Sequence, residues 1–307
     1  MEMFARTWKE DNNMSNFTIK NPIFIIGAPR SGTSILGRIL ENHPNLVHVR
    51  EPRLIWKFGN DGKSDLLSAV DTSPRIKAHI RKKFDEFIIR DGQRLLEKTP
   101  SNSLRVSFIN EVFPDAKFVH IIRNGYDSAA SIRSFWEKKT TDINYTRLES
   151  GENILIQRLK EMHWTQAPYY AKEFIGRLAG KMGIKTTVFW GPRLPEMKRL
   201  HRELDLIELC ALQWKTCVEK ACEEGRKLPA DKYKEVRLEG LNWEAIDSIM
   251  SFLDLSPSQE VETYFSEKFD PKIIQKPKII RNETEHESIT KVIAPTMEWL
   301  GYSVSSS

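Results

Sequence analysis

The sequence predicts an α/β protein, a three-layer sandwich with helices on both faces of a central, mostly parallel sheet. Three observations carry that expectation. Apolar runs at residues 23–26, 45–49, 94–97, 117–122 and 234–238 alternate with stretches of helical apolar spacing, and such alternation implies parallel strands joined by right-handed crossovers. The run Gly27-Ala28-Pro29-Arg30-Ser31-Gly32-Thr33-Ser34 links the first strand to the first helix through a glycine loop. At 307 residues, 40% of them hydrophobic, the chain is long enough to bury one large core.

The elements follow in order. Pro22 and Gly27 bound a buried strand, and residues 34–40 repeat their apolar positions as a helix does. Backbone N–H groups of the intervening loop and the positive end of the helix dipole converge on an anion in such a junction. Residues 45–49 form a short strand that delivers Arg50, Glu51, Pro52 and Arg53 to its carboxyl end, where open α/β sheets gather their ligands. Residues 64–89 read as two helices interrupted near Ser73-Pro74. The strand at 94–97 ends in Lys98-Thr99-Pro100, and a helix at 103–113 is stopped by Pro114. Residues 117–122 are the clearest strand; Arg123-Asn124-Gly125 ends it, and a helix over 126–136 follows.

Between about 137 and 209 no strand alternation is evident, and this stretch reads as a helical insert or lid. A long helix over 202–224 rejoins the core, helices start at Trp243 and Pro257, residues 275–282 form a basic, Pro-containing loop, and a last helix ends near Trp299. The expected organisation is a single domain over 1–307, with 1–20 as an N-terminal extension.

Composition narrows the chemistry. The net charge of +5 suits an anionic ligand, but the cations are spread along the chain, which argues against a nucleic-acid coat. Residues 1–20 carry charges and no apolar stretch of signal length, and no segment approaches the roughly 20 apolar residues a membrane span needs, so a cytoplasmic location is expected. Cys210, Cys217 and Cys222 fall on one expected helix without metal-ligand spacing and read as reduced core thiols. No metal site is expected.

Gly27 and Gly32 keep the G-x-x-x-x-G spacing of a nucleoside-triphosphate loop, but the Lys that should follow is replaced by Thr33-Ser34. The long cation stands inside the loop instead, as Arg30. A guanidinium fork with backbone amides suits an anion carried at the end of a nucleotide.

On these residues the loop resembles the 5′-phosphosulfate loop of sulfotransferases that use 3′-phosphoadenosine 5′-phosphosulfate (PAPS). A second stretch, Phe118-Val119-His120-Ile121-Ile122-Arg123-Asn124-Gly125-Tyr126-Asp127-Ser128-Ala129-Ala130-Ser131, resembles that family's strand followed by Arg and then Ser. The resemblance implies that Gly27, Pro29, Arg30, Ser31, Gly32, Thr33 and Ser34 hold the phosphosulfate. It implies Arg123 and Ser131 at the 3′-phosphate, Lys276 in a C-terminal loop closing over it, and Lys98 near the transferred sulfonate. PAPS is then the donor, released as 3′-phosphoadenosine 5′-phosphate (PAP), with no metal required.

Cytosolic members of the family follow Lys-Thr with a His base, where this chain has Pro100. The protein-tyrosine sulfotransferase branch carries a Glu downstream of a His-Pro pair, and His43-Pro44 followed by Glu51 matches that placement. Glu51 is therefore the expected general base, Arg30 and Lys98 the expected stabilisers of developing charge, and His48 the second candidate base. Leu238 replaces an aromatic residue often found beside the adenosine.

The insert is expected to shape the acceptor pocket, with Trp136, Tyr145, Trp164, Tyr169, Tyr170, Phe189 and Trp190 as candidate faces and Arg158 and Arg193 as polar edges. The expected acceptor is a hydroxyl of a carbohydrate-containing or other small molecule. Two other readings compete: a nucleoside-kinase-like phosphotransferase, opposed by the missing loop Lys, and a non-catalytic binder of the same nucleotide.

Overall fold

In the computed structural model, residues 17–141, 154–171, 189–275 and 280–304 are described. Five strands, β1 (Ile23–Ile26), β2 (Leu46–Arg50), β3 (Arg94–Lys98), β4 (Lys117–Ile122) and β5 (Tyr233–Arg237), form one sheet in the order β2-β3-β1-β4-β5. Every pairing is parallel. Strand alternation sorts the apolar residues onto two covered faces. In β1, Phe24 and Ile26 join Trp56, Phe113 and Phe118 on one side, while Ile23 and Ile25 join Leu36, Val119 and Ile121 on the other. Burial on both faces is why these strands read as continuous apolar runs.

Around the sheet lie α1 (Thr33–Leu40), α2 (Arg53–Lys57), α3 (Pro74–Asp85), α4 (Val106–Val112), α5 (Gly125–Thr141), α6 (Ile154–Glu161), α7 (Met197–Glu203), α8 (Leu206–Gly225), α9 (Trp243–Phe252), α10 (Gln259–Lys268), α11 (Lys272–Gln275) and α12 (Glu283–Trp299). Helices α5, α8 and α12 share a third apolar cluster around Trp136, Trp214 and Ile293. Cys210, Cys217 and Cys222 are free and buried on α8. No helix among the described residues is long and apolar enough to cross a membrane.

Three expected elements differ. The first of the two helices expected within 64–89 is absent; only a 3₁₀ turn at Ala69–Asp71 precedes α3. That segment is extended because its backbone bonds are spent far away, Asp65 N–H on the Arg193 carbonyl at 2.7 Å and Leu67 N–H on the Leu104 carbonyl at 3.2 Å. The helix expected over 103–113 is a 3₁₀ turn, Pro100–Leu104, followed by the shorter α4. The helix expected over 202–224 is two helices, because Asp205 and Glu208 form a reciprocal capping box that starts α8 afresh.

The order places β1 at the centre, flanked by β3 and β4, so the chain switches direction across it. Ligands of open α/β sheets gather outside the carboxyl ends of strands at such a switch point. The residues leaving those ends here are Gly27 from β1, Glu51 from β2, Thr99 from β3 and Arg123 from β4.

Candidate active site

The loop from β1 to α1 curls through three positive φ angles, Gly27 at 157°, Arg30 at 66° and Gly32 at 94°. A Cβ at Gly27 would lie 2.4 Å from the Ile121 carbonyl oxygen, and one at Gly32 would lie 2.5 Å from Leu238 Cδ1. Both glycines are therefore required by close approach as well as by conformation. Gly32 then caps α1, its carbonyl accepting from Ile35 N–H at 2.9 Å and Leu36 N–H at 3.1 Å. Pro29, Ser31 and Thr33 are buried, and Arg30 is exposed.

Arg30 ties the two sequence motifs together. Its Nε donates to Ser131 Oγ at 3.2 Å, and its carbonyl accepts from Arg123 Nη1 at 3.3 Å. Its guanidinium carbon stands 5.0 Å from the centroid of Phe135, one turn beyond Ser131 on α5. Arg123 is nearly buried, and Asp127 Oδ2 is 3.4 Å from its Nη2. The Arg123 carbonyl takes the Trp214 indole N–H at 3.1 Å, which fixes the strand end against α8. Buried donors at this place lack hydrogen-bond partners: Arg123 Nη2, Ser31 Oγ and, one turn before Ser131, Ser128 Oγ.

Glu51 and Lys98 form a second pair. β2 and β3 are in register at Arg50 and Lys98, so Glu51 leaves β2 beside the end of β3. Lys98 Nζ donates to Glu51 Oε1 at 2.8 Å; the Lys98 side chain is 5% exposed and that of Glu51 35%. Burial pushes the Glu51 pKa up, but the Lys98 charge and hydrogen bond, with Arg53 and Arg158, outweigh it and hold the carboxyl below its ordinary value. The Glu51 φ of 51° is left-handed, a conformation that costs a non-glycine residue on the order of 1–2 kcal/mol.

Since β1 pairs directly with both β3 and β4, the Glu51–Lys98 pair lies on one side of the glycine loop that carries Arg30, and Arg123 with Ser131 on the other. His48 belongs elsewhere. It faces α1, where a Cβ on Gly37 would touch its ring, and its Nδ1 is held by Glu41 Oε2 at 2.6 Å. Burial lowers its pKa despite Glu41. Arg50, next to Glu51 in sequence, also turns to Glu41. Lys276 and Tyr145 lie outside the described residues. Trp136 is core rather than an open face, Phe189 and Trp190 are half-buried, and Trp164 at 78% and Tyr169 at 40% are exposed.

Sequence reasoning passed over Glu97. It is fully buried behind Lys98, accepting from Trp56 Nε1 at 3.3 Å, Asn102 Nδ2 at 2.6 Å and Thr99 Oγ. The signal available was a carboxylate inside an apolar strand, which requires partners when buried.

Among the described residues one group has metal-ligand character, His120, Cys222 and Glu235, whose donor atoms lie within 4.8 Å of one another. Tyr233 Oη occupies the gap, 2.7 Å from His120 Nδ1 and 3.1 Å from Glu235 Oε1, and Arg226 clasps both Glu235 oxygens at 2.8 and 2.9 Å. Burial holds the Cys222 thiol up at about 12. Tyr233 thus bridges His120 and Glu235 in a hydrogen-bond relay.

Residues 22–175, half of the chain, match the model of the sulfotransferase family. The chain belongs to that family. Its glycine loop, the β3 end and the α5 motif all fall inside the matched span. NoeE, a nodulation protein of Sinorhizobium fredii, is 26% identical to this sulfotransferase over 130 residues, 37% of this chain and 31% of NoeE. Human protein-tyrosine sulfotransferase 1 is 29% identical over 141 residues, 41% of this chain and 37% of its own length. These matches thus span about a third of each relative. Two solved structures share the fold. The sulfotransferase domain of the Synechococcus PCC 7002 olefin synthase has a TM-score of 0.51 at 15% identity, covering 96% of this chain and all of that one. Sulfotransferase STF9 from Mycobacterium avium has a TM-score of 0.52 at 10% identity, covering 95% and 79%.

Proposed function

We propose that this protein transfers a sulfonate group from PAPS to a hydroxyl of a carbohydrate-containing or other small-molecule acceptor, with Glu51 as general base. The observation that carries the reading is the convergence of Arg30, Arg123 and Ser131 beside a Glu51–Lys98 pair at the sheet's switch point. Arg123 Nη2 and the Ser31 and Ser128 hydroxyls, buried without hydrogen-bond partners, suit an anionic ligand. Gly27, Pro29, Arg30, Ser31, Gly32, Thr33 and Ser34 would hold the phosphosulfate, Arg123 and Ser131 the 3′-phosphate, with Lys276 expected to close over it.

The bound donor supplies an electrophilic sulfur and a phosphate leaving group. Glu51 accepts the acceptor's hydroxyl proton as that oxygen forms its bond to sulfur and the bond from sulfur to the 5′-phosphate oxygen breaks. Lys98, Arg30 and the loop amides meet the charge that develops on the sulfonate and departing phosphate oxygens; one such donor is worth on the order of 10²–10³ in rate. Lys98 has a further effect on the base. While it bonds Glu51 it keeps the carboxylate weakly basic, and a sulfonate that draws its ammonium away leaves Glu51 a stronger base.

The insert over about 137–209 forms the acceptor side of the single domain in this reading. Support comes from α6, which reaches the Glu51 backbone through Arg158 and leads into the exposed rings of Trp164 and Tyr169, surfaces suited to stacking against a sugar. A cytoplasmic setting belongs to the same reading, since three free thiols suit a reducing compartment.

Calorimetry with PAP, and with ATP and Mg²⁺, tests the donor site; binding of PAP alone is expected, and binding of ATP with Mg²⁺ in its place refutes it. Transfer of labelled sulfonate from PAPS into pooled glycans, hydroxylated metabolites and a tyrosine peptide tests the acceptor. Label in the peptide alone removes the small-molecule part of the proposal. Glu51→Gln should bind PAP normally and lose turnover by about 10²-fold or more. Retained turnover would remove Glu51 as the base.

A further inference from the structure

Glu51 carries its carboxylate on a left-handed residue, and such a conformation persists only where neighbours over-determine it. Three contacts to its main chain do so. Its N–H donates to the Lys98 carbonyl at 3.1 Å, and its own carbonyl accepts from Arg53 N–H at 2.8 Å and from Arg158 Nη1 at 2.9 Å. The first two come from β3 and from α2, the segments that flank it. The third comes from α6, about a hundred residues further along the chain.

Arg158 is itself held in place. The same Nη1 donates to Glu161 Oε2 at 2.8 Å, and Glu161, 4% exposed, also accepts Leu54 N–H at 3.1 Å. Gln166, just past α6, donates from Nε2 to the Leu54 carbonyl at 3.0 Å and to Asp61 Oδ1 at 2.6 Å. The insert therefore grips the Glu51 turn at its carbonyl and α2 at its first turn.

We infer that Arg158 is a positioning residue for Glu51: its guanidinium fixes the left-handed turn that aims the carboxylate, and so couples the placement of α6 to proton transfer. The inference rests on Glu51 being the base. It assigns α6 a task beyond lining the acceptor pocket, because displacement of α6 releases the Glu51 carbonyl and lets the turn relax.

Arg158 also acts on the carboxylate's charge. The groups facing Glu51 are Lys98 from β3, Arg53 from α2 and Arg158 from α6, with Asp65 beside Arg53 and Glu161 beside Arg158. Each of the three cations lowers the Glu51 pKa. Removal of Arg158 takes one away, so the Glu51 pKa rises and the acid limb of turnover moves to higher pH.

The test compares wild type, Arg158→Ala and Arg158→Lys. Arg158→Ala should lower kcat by about 10²-fold, the scale of a misplaced reacting group, while PAP affinity stays within about twofold. Guanidinium ion added to Arg158→Ala should restore part of the lost turnover, and Arg158→Lys should retain more of it than the alanine variant. Carbon-detected NMR titration of the Glu51 carboxyl, identified by its loss in Glu51→Gln, should show a higher pKa in Arg158→Ala without any substrate present. Turnover within twofold of wild type together with an unmoved Glu51 titration overturns the inference. So does a loss of turnover that guanidinium ion leaves unrestored and that comes with weakened PAP binding, which would mark Arg158 as a support of the whole domain. If wild type transfers no sulfonate, the functional reading fails, and the Glu51 titration still decides the role of Arg158.

Discussion

Replacing Glu97 with Gln should change the pH dependence of stability more than stability itself. The side chain is fully buried, and burial pushes its pKa up from the ordinary 4.5 to about 7, against the opposing donors of Thr99 and Trp56 and the charges of Arg105 and Lys98. For an acid raised in the folded state the sign is fixed. Between pH 4.5 and 7 the unfolded chain has released a proton that the folded chain keeps, so this group's contribution falls as pH rises through that window and levels off above it. At 1.36 kcal/mol per pH unit, the change across the window is on the order of 3 kcal/mol. Glutamine does not titrate. In the difference between wild type and Glu97→Gln every other group cancels, so the variant should gain on wild type by about that amount between pH 4.5 and pH 8. Urea unfolding followed by tryptophan fluorescence at several pH values measures it. A difference that stays constant to within about 0.5 kcal/mol would mean that Glu97 is ionised throughout, with its three donors overcoming burial.

Two further outcomes bear on the donor site. Arg123→Ala should weaken PAP binding by about 10–150-fold in calorimetry, the equivalent of a charge-assisted hydrogen bond worth about 1.5–3 kcal/mol; a pure rate defect with unchanged affinity would remove Arg123 from the 3′-phosphate. Gly32→Ala meets Leu238 Cδ1 at 2.5 Å and must adopt φ 94°, so unfolding measurements should show a loss of about 2–4 kcal/mol. Leu238→Ala in the same chain should recover the steric part and leave the conformational part; no recovery would show that the contact is not the source.

The strands were legible because both faces of the sheet are covered, which makes β1 and β4 nearly continuous apolar runs with Pro and Gly at their margins. The residues at their ends followed from that. The missing helix depended on partners distant in sequence. Residues 64–72 have helical spacing, yet Asp65 and Leu67 bond to Arg193 and Leu104, contacts that no local pattern announces. The break before α8 was readable, since Asp205 and Glu208 carry the spacing of a capping box. The Glu51–Lys98 pair needed the β2–β3 register, which the sequence does not contain. Strand alternation alone left His48 beside Glu51 as a second candidate; in the fold Glu41 holds His48 against α1.

The same dependence on distant partners explains how this site is built. Five non-glycine residues among those described have positive φ, and the two at the sheet's carboxyl edge are Arg30 and Glu51, the charged groups of the glycine loop and of the proposed proton transfer. Neither conformation is favoured by its own residue type. Arg30 is held by Arg123 at its carbonyl and by Ser131 and Phe135 at its guanidinium, and Glu51 by Lys98, Arg53 and Arg158. The strain is thus balanced by contacts from β3, β4, α5 and α6, elements that can make them only when the whole sheet is assembled. Two loops that a short peptide would not reproduce are set at one edge of the sheet, carrying opposite charges. That arrangement separates this cradle from a simple glycine turn: the glycines permit the curve, and the long-range partners of Arg30 and Glu51 decide where its charges point.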